Sequence, residues 1–229
     1  MAAWIKLAFD HREPIFEFLD TAEDPLRFGL SLGLPVGARR LRTKARQINV
    51  RKRLPDIFVM PGLNAVSQRF RDLVEEFEPG THQFFPLELS YKNGTPVEEP
   101  FFVFNCCVSL DSLLVSRSEV KWHGLGEPLR SPDLGVLWRH RNVLSRPAIA
   151  GHHIWCSLRL RVAGLYVSDA FHDQMKRRKI RYFDASPCEE SEEPWIAEEN
   201  AGPILEWEAR HGLEKGMMPW LIENPDVLF

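Results

Sequence analysis

The chain has 229 residues, 44% of them hydrophobic, with 15 Phe and 7 Trp, and a formal net charge of −3. That apolar content can fill one sizeable core and excludes wholesale disorder. No run approaches the roughly 18 apolar residues of a membrane-spanning helix. The apolar N-terminal stretch, broken by Lys6 and ended by Asp10, is too short for a secretory leader, so a cytoplasmic location is expected. The four cysteines are Cys106, Cys107, Cys156 and Cys188. Two are adjacent, which suits reduced thiols better than a disulfide framework.

Charge is unevenly spread. From residue 184 to the C-terminus, twelve acidic residues face only Arg210 and Lys215, a balance of −10 that leaves +7 for the rest. Between residues 39 and 53 lie Arg39, Arg40, Arg42, Lys44, Arg46, Arg51, Lys52 and Arg53, with no acidic residue among them. Such polarity bears on partners and association rates.

Three zones follow in chain order. Residues 1–53 begin with a strand expected over Trp4 to Phe9 and end in the basic run; Pro14, Pro25 and Pro35 with Gly29, Gly33 and Gly37 break any long helix there. These glycines lack the order and the Gly-Lys-Ser/Thr ending of a phosphate loop. In residues 54–186, Asn64 is placed to cap a helix whose apolar positions Val66, Phe70, Leu73, Val74 and Phe77 share one face, stopped by Pro79-Gly80. Phe85, Leu87, Leu89 and Tyr91 alternate with polar neighbours as in a half-buried strand. Asn93-Gly94 turns the chain into the apolar run Phe101 to Leu110, a central strand.

Further strands are expected at Val120 to His123, Val136 to His140 and His153 to Leu160. Leu165-Tyr166-Val167 leads to Ser168, an N-cap for a helix through about Arg178, whose terminal Arg177, Arg178 and Lys179 suit the negative end of the helix dipole. Tyr182-Phe183 opens another strand. Residues 187–229 form an acidic extension with Trp195 as its apolar anchor, a short helix opened by Pro203 and ended near Gly212, and a docked turn at Pro219 to Ile222. The predicted fold is α+β: a mostly antiparallel sheet of five to seven strands, two principal helices packed on it, and a short helical C-terminal extension, the three zones making one globular unit.

Catalytic signals are weak. His152, His153 and Cys156 invite a metal, but neighbouring strand residues point to opposite faces, and a set drawn from His123, His153, Cys107 and Cys188 has no zinc-type spacing. No cofactor or metal is expected. The serines Ser67, Ser116 and Ser168 lack a nucleophile motif, and Ser168-Asp169 reads as a helix cap. Glu189-Glu190 and Glu192-Glu193 read as a solvated acidic face rather than an acid–base pair. The basic run lacks the interleaved aromatics of a nucleic-acid platform.

The middle of the chain nevertheless resembles a known family. Leu54-Pro55-Asp56-Ile57, Val66-Ser67-Gln68-Arg69-Phe70-Arg71-Asp72-Leu73, Phe85-Pro86-Leu87-Glu88-Leu89, Phe102-Val103-Phe104-Asn105, Leu110-Asp111, Ser116, Leu165-Tyr166-Val167-Ser168 and Arg181-Tyr182-Phe183 are similar in order and spacing to the eleventh immunity family of bacterial polymorphic toxin systems, a family first described without a function. The resemblance spans about residues 54–186. It implies a non-enzymatic protein that binds and neutralises a cognate toxin encoded by a neighbouring gene and often delivered by contact-dependent or type VI secretion. It implies no catalytic residues.

Charge then nominates two toxin-binding surfaces. A toxin with a basic cleft would be met by Glu189, Glu190, Glu192, Glu193, Glu198 and Glu199 with Trp195 as anchor; an acidic toxin would be met by the basic run. The alternatives are an enzyme of another type acting on nucleotides or RNA, marked by His123, His153 or Cys156 converging with a carboxylate, and a nucleic-acid-binding regulator using residues 39–53.

Overall fold

The computed structural model describes residues 2–7, 14–22, 30, 35–38, 41–50, 53–125, 131–136, 140–157, 165–180 and 183–213. The strands are β1 (Ala2–Leu7), β2 (Phe16–Phe18), β3 (Lys44–Gln47), β4 (Ile57–Met60), β5 (Leu63–Ser67), β6 (Gln83–Ser90), β7 (Phe101–Asn105), β8 (Val120–His123), β9 (Asp133–Val136), β10 (Val143–Ser145), β11 (Ile154–Trp155), β12 (Leu165–Ser168) and β13 (Phe183–Ser191). The helices are α1 (Gln68–Phe77), α2 (Arg146–Ile149), α3 (Asp169–Arg177) and α4 (Ala197–Arg210).

The strands form two principal sheets and a ribbon rather than one sheet. One sheet has the order β10-β13-β1-β12-β11, the second β2-β3-β6-β7-β5-β4, and β8 pairs with β9. Among the described residues, eight of the ten strand pairs are antiparallel; β3 with β6 and β10 with β13 are parallel. The sheets are therefore mixed. Each parallel pair is joined through intervening elements, because parallel neighbours need a crossover that a tight turn cannot supply.

Helices α1 and α3 are entered in the same way. A strand ends on a serine, and the serine side chain caps the helix that follows. Ser67 Oγ accepts from the Phe70 amide at 3.4 Å, and Ser168 Oγ accepts from the Phe171 amide at 3.2 Å. Asn64 is not the cap: it lies inside β5, paired in register between Val59 and Phe104. The positive φ of Gly62, 80°, closes the β4–β5 turn and extends the strand up to Ser67. Ser67 Oγ also donates to Asp56 Oδ1 at 2.7 Å, and Arg69 reaches Asp56 and the Arg178 carbonyl, so the start of α1 is tied to the end of α3. Ser67→Ala is expected to cost about 1–2 kcal/mol, since it removes a cap and leaves a buried carboxylate short of a donor. Urea denaturation measures this as a lower midpoint with an unchanged slope.

Packing joins the two sheets through these helices. Phe70 meets Phe104 of β7 at 5.6 Å and Phe171 of α3 at 6.1 Å, and Phe77 meets Phe171 at 5.3 Å. Leu73, Val74, Phe171 and Met175 are fully buried there. The opposite face of the six-stranded sheet carries a second core of Phe16, Ala45, Phe58, Met60, Ala65, Leu87, Leu89, Phe101 and Val103. In the five-stranded sheet Trp155, Tyr166 and Trp4 stand in register on β11, β12 and β1, and their rings stack at 5.7 and 6.4 Å.

Several expected boundaries move. The first strand starts at Ala2 and runs to Leu7; Phe9 lies outside the described residues. The run beginning at Phe101 stays in strand only to Asn105. The strand near Val136 is Asp133–Val136, ahead of the expected span, and residues 137–139 lie outside the described set. The strand at His153 is described at Ile154–Trp155, with residues 158–164 outside. Tyr182 and the turn at Pro219 to Ile222 also lie outside. The C-terminal helix begins earlier than Pro203, at Ala197, and bends at Ala201, whose φ of −130° is non-helical; Pro203 sits in the first turn after that bend.

Candidate functional site

The acidic candidate begins on β13, which runs through Ser191 and so carries Glu189 and Glu190 on a core strand. Strand β10 lies parallel beside it, with Val143 opposite Glu189 and Ser145 opposite Ser191. That register sets arginines at both ends of β10 against the glutamates. Arg141 donates to both carboxylate oxygens of Glu189, at 3.0 and 2.9 Å. Arg146 donates to Glu190 at 3.0 Å and also to Glu192, and Arg117 donates to Glu193. The hydrogen bond from Arg141 lowers the Glu189 carboxyl below its usual range, and the same contact raises the Arg141 guanidinium.

The rest of the segment is pinned from inside. Ser145 Oγ donates to the Glu193 carbonyl at 2.6 Å, and Trp195 Nε1 donates to the Leu113 carbonyl at 3.1 Å. Trp195 is half-buried against the main core. Asn200 Oδ1 accepts from the Val115 amide at 2.8 Å, holding α4 to the short 3-10 turn Val115–Arg117. Glu198 and Glu199 are exposed in the first turn of α4, where carboxylates favour the positive end of the helix dipole. The structure thus brings Glu189, Glu190, Glu192 and Glu193 together on an arginine-laced surface and sets Glu198 and Glu199 beyond it.

The pairs of Glu189, Glu192 and Glu193 are solvent-exposed, so each is worth about 0–1 kcal/mol, whereas the Glu190 carboxylate is largely covered. Arg141→Ala is expected to shift the unfolding free energy by less than about 1 kcal/mol while raising the negative charge of the face. Thermal unfolding with zeta-potential measurement checks both halves of that statement.

The basic run is distributed differently. Arg39, Arg40, Arg51 and Lys52 lie outside the described residues. Lys44 pairs with Glu88 across the parallel β3–β6 register at 2.9 Å, and Arg46 pairs with Glu17 across β2–β3 at 2.7 Å. Arg42 stacks its guanidinium on the Phe18 ring, 4.0 Å from the centroid. Arg53 is exposed.

A third constellation joins residues the sequence did not single out as a set. Glu78 follows the last residue of α1 and is 7% exposed. One carboxylate oxygen accepts from His82 Nε2 at 2.6 Å; the other accepts from the His153 amide at 2.6 Å and lies 3.3 Å from His152 Nδ1. Burial alone would raise this carboxyl, but the His82 and His153 hydrogen bonds outweigh it and hold it down at about 2. His82 Nδ1 accepts from the Cys107 amide at 3.2 Å, which assigns the Nε2 proton to the Glu78 bond. His153 Nδ1 meets Ser168 Oγ at 2.7 Å. The spacing of Glu78 and His82 around Pro79-Gly80 was the available signal; Gly80, at φ 66°, makes the turn that folds one back on the other.

The contacts of this cluster run to helix and strand ends: α1 through Glu78, the end of β7 through Cys107, and the start of β11 through His153. It clamps three elements. Of the thiols, Cys106 and Cys156 are hydrogen-bonded neighbours that share the Val108 carbonyl. His123 ends β8, Cys156 donates to the Val108 carbonyl at 3.2 Å, and Cys188 is buried on β13, where desolvation pushes its thiol up to about 12. Among the described residues, no three His, Cys, Asp or Glu side chains gather as metal ligands, and no helix is long and apolar enough to cross a membrane.

The Immunity protein family (Imm11) model matches residues 37–190. The chain belongs to the Imm11 family. The match reaches further at both ends than residues 54–186, taking in β3 with Lys44 and Arg46 and β13 through Glu190. No curated protein matches the chain. Within this Imm11 chain, the residues of the matching stretches serve structure: Ser67 and Arg69 both bind Asp56, Ser168 caps α3, and Asp111 accepts from Ser157 at 2.8 Å.

Proposed function

We propose that this Imm11 chain is an immunity protein that works as a stoichiometric inhibitor in the cytoplasm, binding a cognate toxin encoded by a neighbouring gene. It acts by covering the toxin's active site or by holding an inactive form of it. Family membership over residues 37–190 carries this reading. An inhibitor of this kind needs a rigid surface rather than reacting groups. In keeping with that, the buried histidine–carboxylate cluster makes its contacts within the fold, and the motif residues build helix caps and strand ends. Delivery of the toxin by a type VI or contact-dependent system, and an absence of enzymatic turnover, belong to the same proposal.

The charged surfaces supply recognition. Glu189, Glu192 and Glu193 with Glu198 and Glu199, anchored by Trp195, are proposed to meet a basic toxin cleft; the arginine partners of the first three are exposed and can be exchanged for toxin cations at little cost, while Glu190, whose side chain is 13% exposed, holds Arg146 beside them. The basic strand β3 offers the opposite polarity. The test is co-expression in a sensitive host with the toxin from the adjacent gene. Restored growth with the chain, and none with empty vector, is expected. Unabated killing at matched expression would contradict the reading.

A further inference from the structure

Residues 108–114 tie the two sheets to one another. They follow β7 of the six-stranded sheet and bond to both ends of the five-stranded one. Just past β11, the Cys156 amide donates to the Val108 carbonyl at 3.0 Å, and the Leu110 amide donates to the Cys156 carbonyl at 2.9 Å. At β10, the Leu114 amide donates to the Val143 carbonyl at 2.9 Å, and the Ser145 amide donates to the Ser112 carbonyl at 2.7 Å. The segment is a strap between β11 and β10, the opposite end strands of their sheet.

Two thiols meet where the strap reaches β11. Cys106 Sγ and Cys156 Sγ lie 3.4 and 3.2 Å from one oxygen, that of the Val108 carbonyl, and are hydrogen-bonded to each other. Both side chains are buried. Their hydrogen bond lowers the Cys156 thiol from its ordinary value and, together with burial, raises Cys106 well above it. Cys156 is therefore the member that ionises first. The other two thiols face elsewhere. Cys107 Sγ, half-buried, meets Gln83 Oε1 and the Asn105 carbonyl, and Cys188 Sγ meets the Ser186 carbonyl.

We infer that Cys106 and Cys156 are a redox pair, whose reversible disulfide locks the strap to β11 and joins the two sheets covalently. The inference stands apart from the immunity reading above. The oxidant is a hydroperoxide. Cys156, as the thiolate, attacks one peroxide oxygen; the O–O bond breaks, the departing oxygen leaves as water, and a sulfenic acid remains. Cys106 sulfur then attacks the sulfenic sulfur, the S–S bond forms, the S–O bond breaks, and a second water carries away the Cys106 proton. The two sulfurs lose two electrons and the peroxide gains them. Burial makes the reaction depend on local opening of the strap, and small thiols reverse it by exchange. A disulfide of this transient kind is compatible with a reducing compartment, where a permanent one is not.

The test treats the reduced full-length chain with hydrogen peroxide, alkylates the remaining thiols on unfolding, and maps the unreduced digest by mass spectrometry. Peptides carrying Cys106 and Cys156 should appear linked, two hydrogens lighter than their sum, and dithiothreitol should separate them. The urea midpoint of the oxidised chain should rise above that of the reduced one, because closing a loop of about 50 residues restricts the denatured state. The Cys107→Ser variant should keep both the link and the rise, and it assigns the link to Cys106 rather than its neighbour. Recovery of Cys106 and Cys156 as alkylated thiols, with oxygen added to Cys107 alone, would overturn the pair. So would a link that Cys107→Ser abolishes. A Cys106–Cys156 link that leaves the urea midpoint unchanged would overturn the lock.

Discussion

Glu78→Gln is expected to destabilise the protein by about 3 kcal/mol at pH 7, as for removal of one partner from a buried, hydrogen-bonded ionic set. The carboxylate accepts from His82 and from the His153 amide, and both Glu78 and His82 are buried. Denaturant titration at pH 7 reads the loss directly. The same carboxylate sets a pH dependence. In the folded chain it is held at about 2, below its ordinary value of 4.5. A group lowered on folding stabilises the native state above its unfolded value and loses that contribution as pH falls through the folded one. The wild type should therefore weaken between about pH 4.5 and 2 by an amount on the order of 3 kcal/mol, and Glu78→Gln should lack this part of the acid transition. Parallel acid profiles of the two proteins would refute the clamp.

Phe70→Ala is expected to cost about 4 kcal/mol, the upper range for an aromatic lost from a core. Phe70 is 2% exposed and touches rings from both sheets' layers: Phe104 beneath it on β7 and Phe171 opposite it on α3. Both neighbours are held by their own backbones, so the cavity has little means to collapse. A double-mutant cycle with Phe171→Ala should return a coupling of about 1 kcal/mol beyond area burial. Additive losses would place the two rings in independent units and contradict the shared core.

The sequence carried local structure further than assembly. Ser168 followed by a helix with Phe171 and Met175 on one side is a short-range pattern, and the helix forms over Asp169–Arg177 with that cap. Phe85, Leu87 and Leu89 alternate, and they line the second core as their period requires. Asn64 misled because an Asn ahead of an apolar periodic stretch satisfies the capping rule; the β4–β5 pairing claims that residue first, and Ser67 caps three residues later. Trp155 misled differently. It neighbours Ile154 on β11 and so points to the opposite face, yet both are fully buried, because the sheet is covered on both sides at this strand.

The division into two sheets was beyond local reading, since it depends on which distant strands meet. The parallel pairing of β10 with β13 is one such choice, and it converts an acidic stretch of sequence into an arginine–glutamate surface. The Glu78 cluster was hidden for the same reason, as His82 is near Glu78 in sequence while His153 is 75 residues away. Family resemblance alone gives the functional direction.

The most direct measurement is calorimetric titration of the purified chain with the purified toxin from the adjacent gene. The expected result is a one-to-one complex in the nanomolar range that abolishes the toxin's activity in the same mixture. Active toxin with no heat of binding at micromolar concentrations would contradict it.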